Sequence, residues 1–258
     1  MYSQFNEKIS MNNYVDQVIV LCLPKRNEYI TNVLNKMGIT FTIFNAILGD
    51  TIDKDELITN GIISTDNNFK NNNEIACALG HLSIIKEYLD NLYMYGSICV
   101  LEDDLKLNED YNDNLSSIMS SLPEDFEFLN LSRCWAKCNS EKKINEYINI
   151  TKDSLCSSCY IVNKKGAKKI MDNVFPMKDP IDIYISNLMN EPVNLKFYSS
   201  KRLFTQNREQ LNSSLDNNDY CMECNDFNPS YFYTWNNFFL IMSLSFIFFI
   251  LFYNYKSK

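Results

Sequence analysis

Ser97-Ile-Cys-Val-Leu-Glu-Asp-Asp104 is the stretch on which the rest of the chain turns. Ser97 to Leu101 is a compact apolar run of strand length, and the carboxylates Glu102, Asp103 and Asp104 follow without a spacer. So continuous a run reads as a strand covered on both faces, and open α/β sheets bind ligands beyond the carboxyl ends of such strands. Side chains alternate along extended backbone, which predicts Glu102 and Asp104 on one side and Asp103 on the other. Two hard oxygen donors on one side suit Mg²⁺ or Mn²⁺ and leave coordination positions for a diphosphate. Acidic triplets more often end as solvated loops, so it is the position after an apolar strand that singles this one out.

Working outward, strands and helices alternate. Gln17 to Leu23 is an apolar run ended by Pro24, and Arg26 to Met37 carries Tyr29, Val33, Leu34 and Met37 at helical spacing before Gly38. Thr40 to Phe44 is short and β-prone, whereas Asp50 to Asn73 is polar and reads as a long loop with little regular structure. Glu74 to Tyr93 is strongly helical, with Ile75, Leu79, Leu82, Ile85 and Leu89 on one face. Beyond the acidic run the pattern predicts a helix over Tyr111 to Leu122 and a strand over Phe126 to Leu131. A strand over Ser157 to Val162, helices over Lys165 to Asn173 and Pro180 to Met189, and a short strand over Leu195 to Tyr198 complete it. Such alternation predicts an α/β fold with a mainly parallel sheet.

Composition removes several classes of function. The formal net charge of −8 argues against nucleic-acid binding, which needs basic groups to displace counterions from phosphates. The six glycines lie far apart and assemble neither a GxGxxG nor a GxxxxGK[ST] fingerprint. The single histidine, His81, excludes mechanisms that need two imidazoles. Carboxylate chemistry is what is left.

Among the nine cysteines, Cys134/Cys138, Cys156/Cys159 and Cys221/Cys224 form close pairs. Two such pairs a helix-length apart can make a tetrahedral zinc site. The competing reading puts Cys156 and Cys159 on or beside a strand and leaves the others as buried thiols or disulfides.

The carboxyl end is a separate element. Phe238 to Tyr253 is uncharged and almost wholly apolar, and extension to Trp235 and Tyr255 gives about the twenty residues that cross a ~30 Å hydrocarbon core. It predicts a single-pass transmembrane helix, with aromatic residues at both interfaces. Residues 1–215 then form the main domain, 216–234 an acidic linker and 235–258 a tail anchor. Lys256 and Lys258 beyond the span place the tail in the cytosol by the positive-inside rule, whereas the absence of an amino-terminal signal favours a cytosolic domain. Sequons at Asn114, Asn130, Asn149 and Asn212 are compatible with a lumenal domain.

The segment Glu74-Ile-Ala-Cys-Ala-Leu-Gly-His81-Leu-Ser, followed by a helix and Ser97 to Asp104, resembles glycosyltransferase family 25. The likeness continues in order through Val18 to Arg26, Ser158 to Ala167, Pro180-Ile-Asp182, and Leu203 to Gln206 with Ser213-Ser214. It implies a GT-A-like nucleotide-sugar transferase fold and transfer from a UDP-sugar to a hydroxyl of a glycan or protein acceptor, with inversion and Mn²⁺ (or Mg²⁺) dependence. By position it makes Asp104 the first metal ligand, with Glu102 or Asp103 set against the ribose or the metal. Asp182 becomes a metal ligand or the catalytic base, and His81 a metal ligand or a structural histidine. Lys25 and Arg26 are placed to meet the diphosphate, and Gln206 to touch donor or acceptor. Gly80 departs from the family, which usually has serine there, so a donor-side hydrogen bond is in question. An inactive member acting as a membrane-bound binding protein, or another divalent-metal enzyme acting on nucleotides, are the readings that compete.

Overall fold

The computed structural model describes residues 10–91, 93, 96–108, 111–132, 142–150, 154–207 and 211, all within one compact unit, Met1–Cys221. Cys134, Cys138, Cys221, Cys224, Asn212, Ser213, Ser214 and the apolar tail lie outside the described residues. Among the described residues no helix is long and apolar enough to cross a membrane.

The strands are β1 (Gln17–Cys22), β2 (Thr42–Asn45), β3 (Ser97–Glu102), β4 (Leu105–Leu107), β5 (Phe128–Asn130), β6 (Lys142–Lys143), β7 (Ile148–Ile150), β8 (Cys159–Asn163), β9 (Phe197–Ser200) and β10 (Phe204–Gln206). The helices are α1 (Asn27–Met37), α2 (Lys54–Thr59), α3 (Asn72–Asp90), α4 (Tyr111–Ser120), α5 (Lys164–Asn173) and α6 (Ile181–Asn187). Gly38 ends α1 in the left-handed region at φ 71°, the conformation that glycine adopts without a Cβ penalty. The Asn71 side chain caps α3 by accepting from the Glu74 amide at 3.1 Å.

One eight-stranded sheet runs in the order β2-β1-β3-β8-β5-β9-β7-β6, and β4 pairs separately with β10. Pairs β1–β2, β1–β3 and β5–β9 are parallel, whereas β3–β8, β5–β8, β7–β9 and β6–β7 are antiparallel. The sheet is therefore mixed and not mainly parallel. β8 enters the sheet centre in reverse between β3 and β5, and β7 and β6 add antiparallel pairs at one edge. A strand buried on both faces is apolar whichever way it runs, so its pattern carries no direction.

Both faces are covered. Ile19, Leu21, Ile98, Val100, Tyr160 and Val162 pack into one cluster with residues of α3, α5 and α6. Val20, Cys22, Cys99, Leu101 and Ile161 pack into a second with residues of α1 and α4. The expected loop over 50–73 contains α2, whose Asp53 side chain accepts from the Glu56 amide at 3.0 Å. Its polar composition hid a short helix that starts at this cap and packs only Leu57 and Ile58, half-buried, against the core.

The sequons read differently once folded. Asn114 on α4 and Asn130 on β5 are buried, and the Asn130 amide donates to the Cys156 carbonyl at 3.0 Å. Neither is open to glycosylation in the folded domain, so they give no evidence for a lumenal location. Cys156 is disulfide-bonded, while Cys159 is a free thiol inside β8. These two therefore do not act together as a zinc pair.

Glu127 ties α5 to the sheet. Its fully buried carboxylate takes ion pairs from Lys169 at 2.6 Å and Lys165 at 2.9 Å and a hydrogen bond from the Lys196 amide at 2.9 Å. Burial raises its pKa, but the Lys169, Lys165 and Lys196 contacts outweigh that and hold it below the ordinary value of 4.5. A carboxyl with a lowered folded pKa stabilises in full above its unfolded value and loses that contribution as pH falls through the folded one. Stability of the wild type is therefore expected to fall below pH 4.5, and Glu127→Gln to be weaker at neutral pH with a flatter acid limb. Urea midpoints measured against pH check this; parallel acid limbs for the two proteins would count against it.

Candidate active site

β1 and β3 lie side by side and end together, with Leu21 opposite Glu102, and β2 ends level with β1, Asn45 opposite Cys22. Beyond these parallel ends lies a cavity of about 390 Å³. Its wall includes Lys25 and Arg26 after β1, Gly49 and Asp50 after β2, Glu102, Asp103 and Asp104 after β3, and Gln206 of β10. Asn73, Ala76 and Cys77 from the first turns of α3 close one side. Gly49 packs against α3 so closely that a Cβ there would overlap the side chain and amide of Asn73.

The carboxylates do not alternate as the strand pattern predicts. β3 ends at Glu102, and Asp103 and Asp104 form a turn. Asp103 accepts from the Leu23 amide at 2.6 Å and from the Arg26 guanidinium at 2.7 Å. The same Arg26 nitrogen stands 3.5 Å from Oδ2 of Asp104. Arg26 and Asp103 are each 5% exposed, so this is a buried pair that locks the β1 turn to the β3 turn. Its field reaches Cys22, whose thiol burial pushes up to about 11, with Asp103 adding to the rise and Arg26 opposing it.

Glu102 faces the other way. Its Oε1 lies 3.3 Å from Nε2 of His81, and Nδ1 of His81 lies 3.2 Å from the Tyr160 hydroxyl. His81 is fully buried one helical turn beyond Cys77, and both of its ring nitrogens are engaged. Gly80 beside it packs on β1, where a Cβ would come within 2.9 Å of Leu21 Cδ1. The glycine thus serves helix–strand contact at the position where the resembling family carries serine.

Gln206 reaches the cavity because β10 pairs with β4 at Gln206–Leu105, and the following Asn207 amide donates to the Asp104 carbonyl at 2.6 Å. Asp182 does not belong to the cavity wall described here. At the start of α6 its carboxylate accepts from the Cys156 amide at 3.1 Å and the Ile183 amide at 2.8 Å. Its charge is nevertheless felt at the wall. Burial raises the Cys77 thiol well above its ordinary pKa, and Glu102, Asp182, Asp104 and Asp103 raise it further.

As a donor set for Mn²⁺ or Mg²⁺, Glu102 and Asp104 fit. They are hard oxygen donors on one cavity, whereas Asp103 is committed to Arg26 and the Leu23 amide. Cys77 is the wall residue that motif reading passed over, although its spacing of one helical turn from His81 was the available signal.

A provisionally named glycosyltransferase from Haemophilus influenzae is 29% identical over 188 residues, covering 70% of this chain and 64% of its own length. The chain thus spans less than two thirds of that relative. A solved glycosyltransferase involved in glycosylation of the major capsid of PBCV-1 covers 74% of this chain and 92% of its own at 8% identity, with a TM-score of 0.36. That is a loose likeness from which nothing about this chain follows. The family model described as "Glycosyltransferase family 25 (LPS biosynthesis protein)" matches residues 17–185, from β1 into α6 and across the whole acidic site. Spanning well over half of the 258 residues, that match makes the chain a member of glycosyltransferase family 25.

Proposed function

We propose that this chain transfers a sugar from a UDP-sugar to a hydroxyl of a glycan or protein acceptor, in one inverting displacement. The observation that carries the reading is the cavity at the ends of β1, β2 and β3. It brings the cationic turn Lys25-Arg26 and the acidic turn Glu102 to Asp104 onto one wall inside the region matched to the family.

Asp104 and Glu102 would hold Mn²⁺ or Mg²⁺, whose charge offsets that growing on the departing diphosphate. Lys25 is exposed on the wall and adds a mobile cation for the same phosphates. Arg26 is spent on Asp103 and fixes the site's shape. His81 orients Glu102 through the 3.3 Å contact. The acceptor oxygen attacks the anomeric carbon as the bond to UDP breaks, and the acceptor's proton passes to a carboxylate, for which we assign Asp182, off the cavity wall but near enough for its charge to act on Cys77 of that wall. Its two amide contacts leave each oxygen a lone pair to accept that proton. The apolar stretch 238–253 is assigned as the membrane anchor, on its length and lack of charge.

The test is UDP release by the purified chain across a panel of UDP-sugars, with Mn²⁺ or with chelator. Metal-dependent release with one sugar is expected. Release of pyrophosphate would point to nucleotidyl transfer instead, and silence with an intact fold to an inactive member that binds without turning over.

A further inference from the structure

We propose that Cys77, His81 and Glu102 form a site for a borderline-soft divalent cation of the zinc type, which shares Glu102 with the hard-oxygen pair Glu102 and Asp104 but not Asp104 itself. The three ligand atoms Sγ, imidazole nitrogen and carboxylate oxygen lie within 4.8 Å of one another. Two ligands one helical turn apart on α3 and a third from the end of β3 put the set on two rigid elements.

The nitrogen–oxygen separation suits the ion. Zinc sits about 2.0–2.1 Å from nitrogen and oxygen donors, so a tetrahedral site separates those two by roughly 3.3–3.4 Å. Nε2 of His81 and Oε1 of Glu102 are 3.3 Å apart. The Tyr160 hydroxyl, 3.2 Å from Nδ1, stands where histidine ligands keep their outer partner. With Nε2 on the ion, Nδ1–H donates to the Tyr160 oxygen, which fixes the tautomer.

The charge balance also favours it. Binding replaces the Cys77 S–H bond with an S–metal bond and releases that proton to solvent. Thiolate and Glu102 carboxylate together then neutralise a dication. Asp182, Asp104 and Asp103, which oppose a bare thiolate at Cys77, attract the incoming cation by the same field. Mixed sulfur, nitrogen and oxygen donors select zinc or cobalt over Mg²⁺ and Mn²⁺. Cys77 and Glu102 both belong to the cavity wall, so the fourth coordination position opens on the cavity and accepts water or a ligand oxygen.

The experiment titrates Co²⁺ into the full chain, detergent-solubilised and under reductant, and reads the thiolate-to-cobalt charge-transfer band and the tetrahedral visible bands. Wild type is expected to give both bands. Losing even an outer partner of a ligand typically costs roughly 10–100-fold in affinity, so Cys77→Ser should cost at least ~100-fold and abolish the charge-transfer band. His81→Gln should do likewise, with near-ultraviolet circular dichroism confirming an intact fold, whereas Asp104→Asn should keep both bands. A band unchanged in Cys77→Ser would place the ion on other cysteines, and one lost equally in Asp104→Asn would place it on the acidic turn. Either result overturns the proposal, as does wild type that binds no Co²⁺ through sulfur. None of these readouts depends on sugar transfer.

Discussion

Asp104→Asn is expected to lower kcat/KM for UDP-sugar transfer by ~10²-fold or more with little change in stability, since removal of one electrostatic stabiliser of a transition state typically costs that much. Asparagine keeps the shape and one oxygen but removes the charge. The Asp104 backbone carbonyl takes the Asn207 amide at 2.6 Å, a contact that asparagine keeps. The Arg26 guanidinium stands 3.5 Å from the Asp104 carboxylate, while the 2.7 Å contact of that guanidinium goes to Asp103. The loss should therefore appear in turnover and in Mn²⁺ dependence, with the thermal midpoint nearly unchanged. Steady-state kinetics beside a thermal melt separate the two. Wild-type turnover in the variant would remove Asp104 from the site. A collapsed melt would mean that its charge serves the fold and not the reaction.

Arg26→Met should do the opposite and strike the fold first. Removing one partner of a buried ion pair typically costs about 3–5 kcal/mol, because the other charge is left without compensation. Asp103 would keep the Leu23 amide at 2.6 Å but lose its 2.7 Å cation, and Asp104 would lose the same neighbour. For a domain of this size about 1 kcal/mol moves the melting midpoint by roughly 2–4 °C, so a drop on the order of 10 °C is expected. Adding Asp103→Asn should recover a large part of it, since the uncompensated charge then disappears. A single variant that melts with the wild type would show that the pair is hydrated and contributes little. A double variant no better than the single would move the cost from charge to packing of the arginine stem.

The acidic turn was readable because chemistry and pattern coincide there. A continuous apolar run from Ser97 to Leu101 reads as a buried strand, and a carboxylate that follows such a strand emerges at a sheet end. The order of β1, α1, β2, α3 and β3 followed from the same periodicities, within a few residues at each boundary. β4, β10 and the β6–β7 hairpin were not foreseen. Their runs of two or three residues are too short for alternation to register, and β4, β10 and β7 pair with strands distant in sequence. α2 was hidden for a related reason, since its six residues bring only Leu57 and Ile58 to the core and begin at a cap on Asp53.

By itself the sequence determined the layered α/β class and the place of the carboxylates Glu102 to Asp104 at the end of β3, because hydrophobic period and residue type are local properties. Tertiary structure alone decided the direction of β8, since a doubly buried strand has the same composition whichever way it runs. It alone assigned Arg26 to Asp103 and His81 to Glu102, because these partners come from other elements of the fold. It also brought Gln206 to Asp104 through the β4–β10 pairing and set Cys77 and His81 beside Glu102. These pairings join residues far apart in the chain, and the packing of helix on sheet, which no local pattern records, fixes their distances.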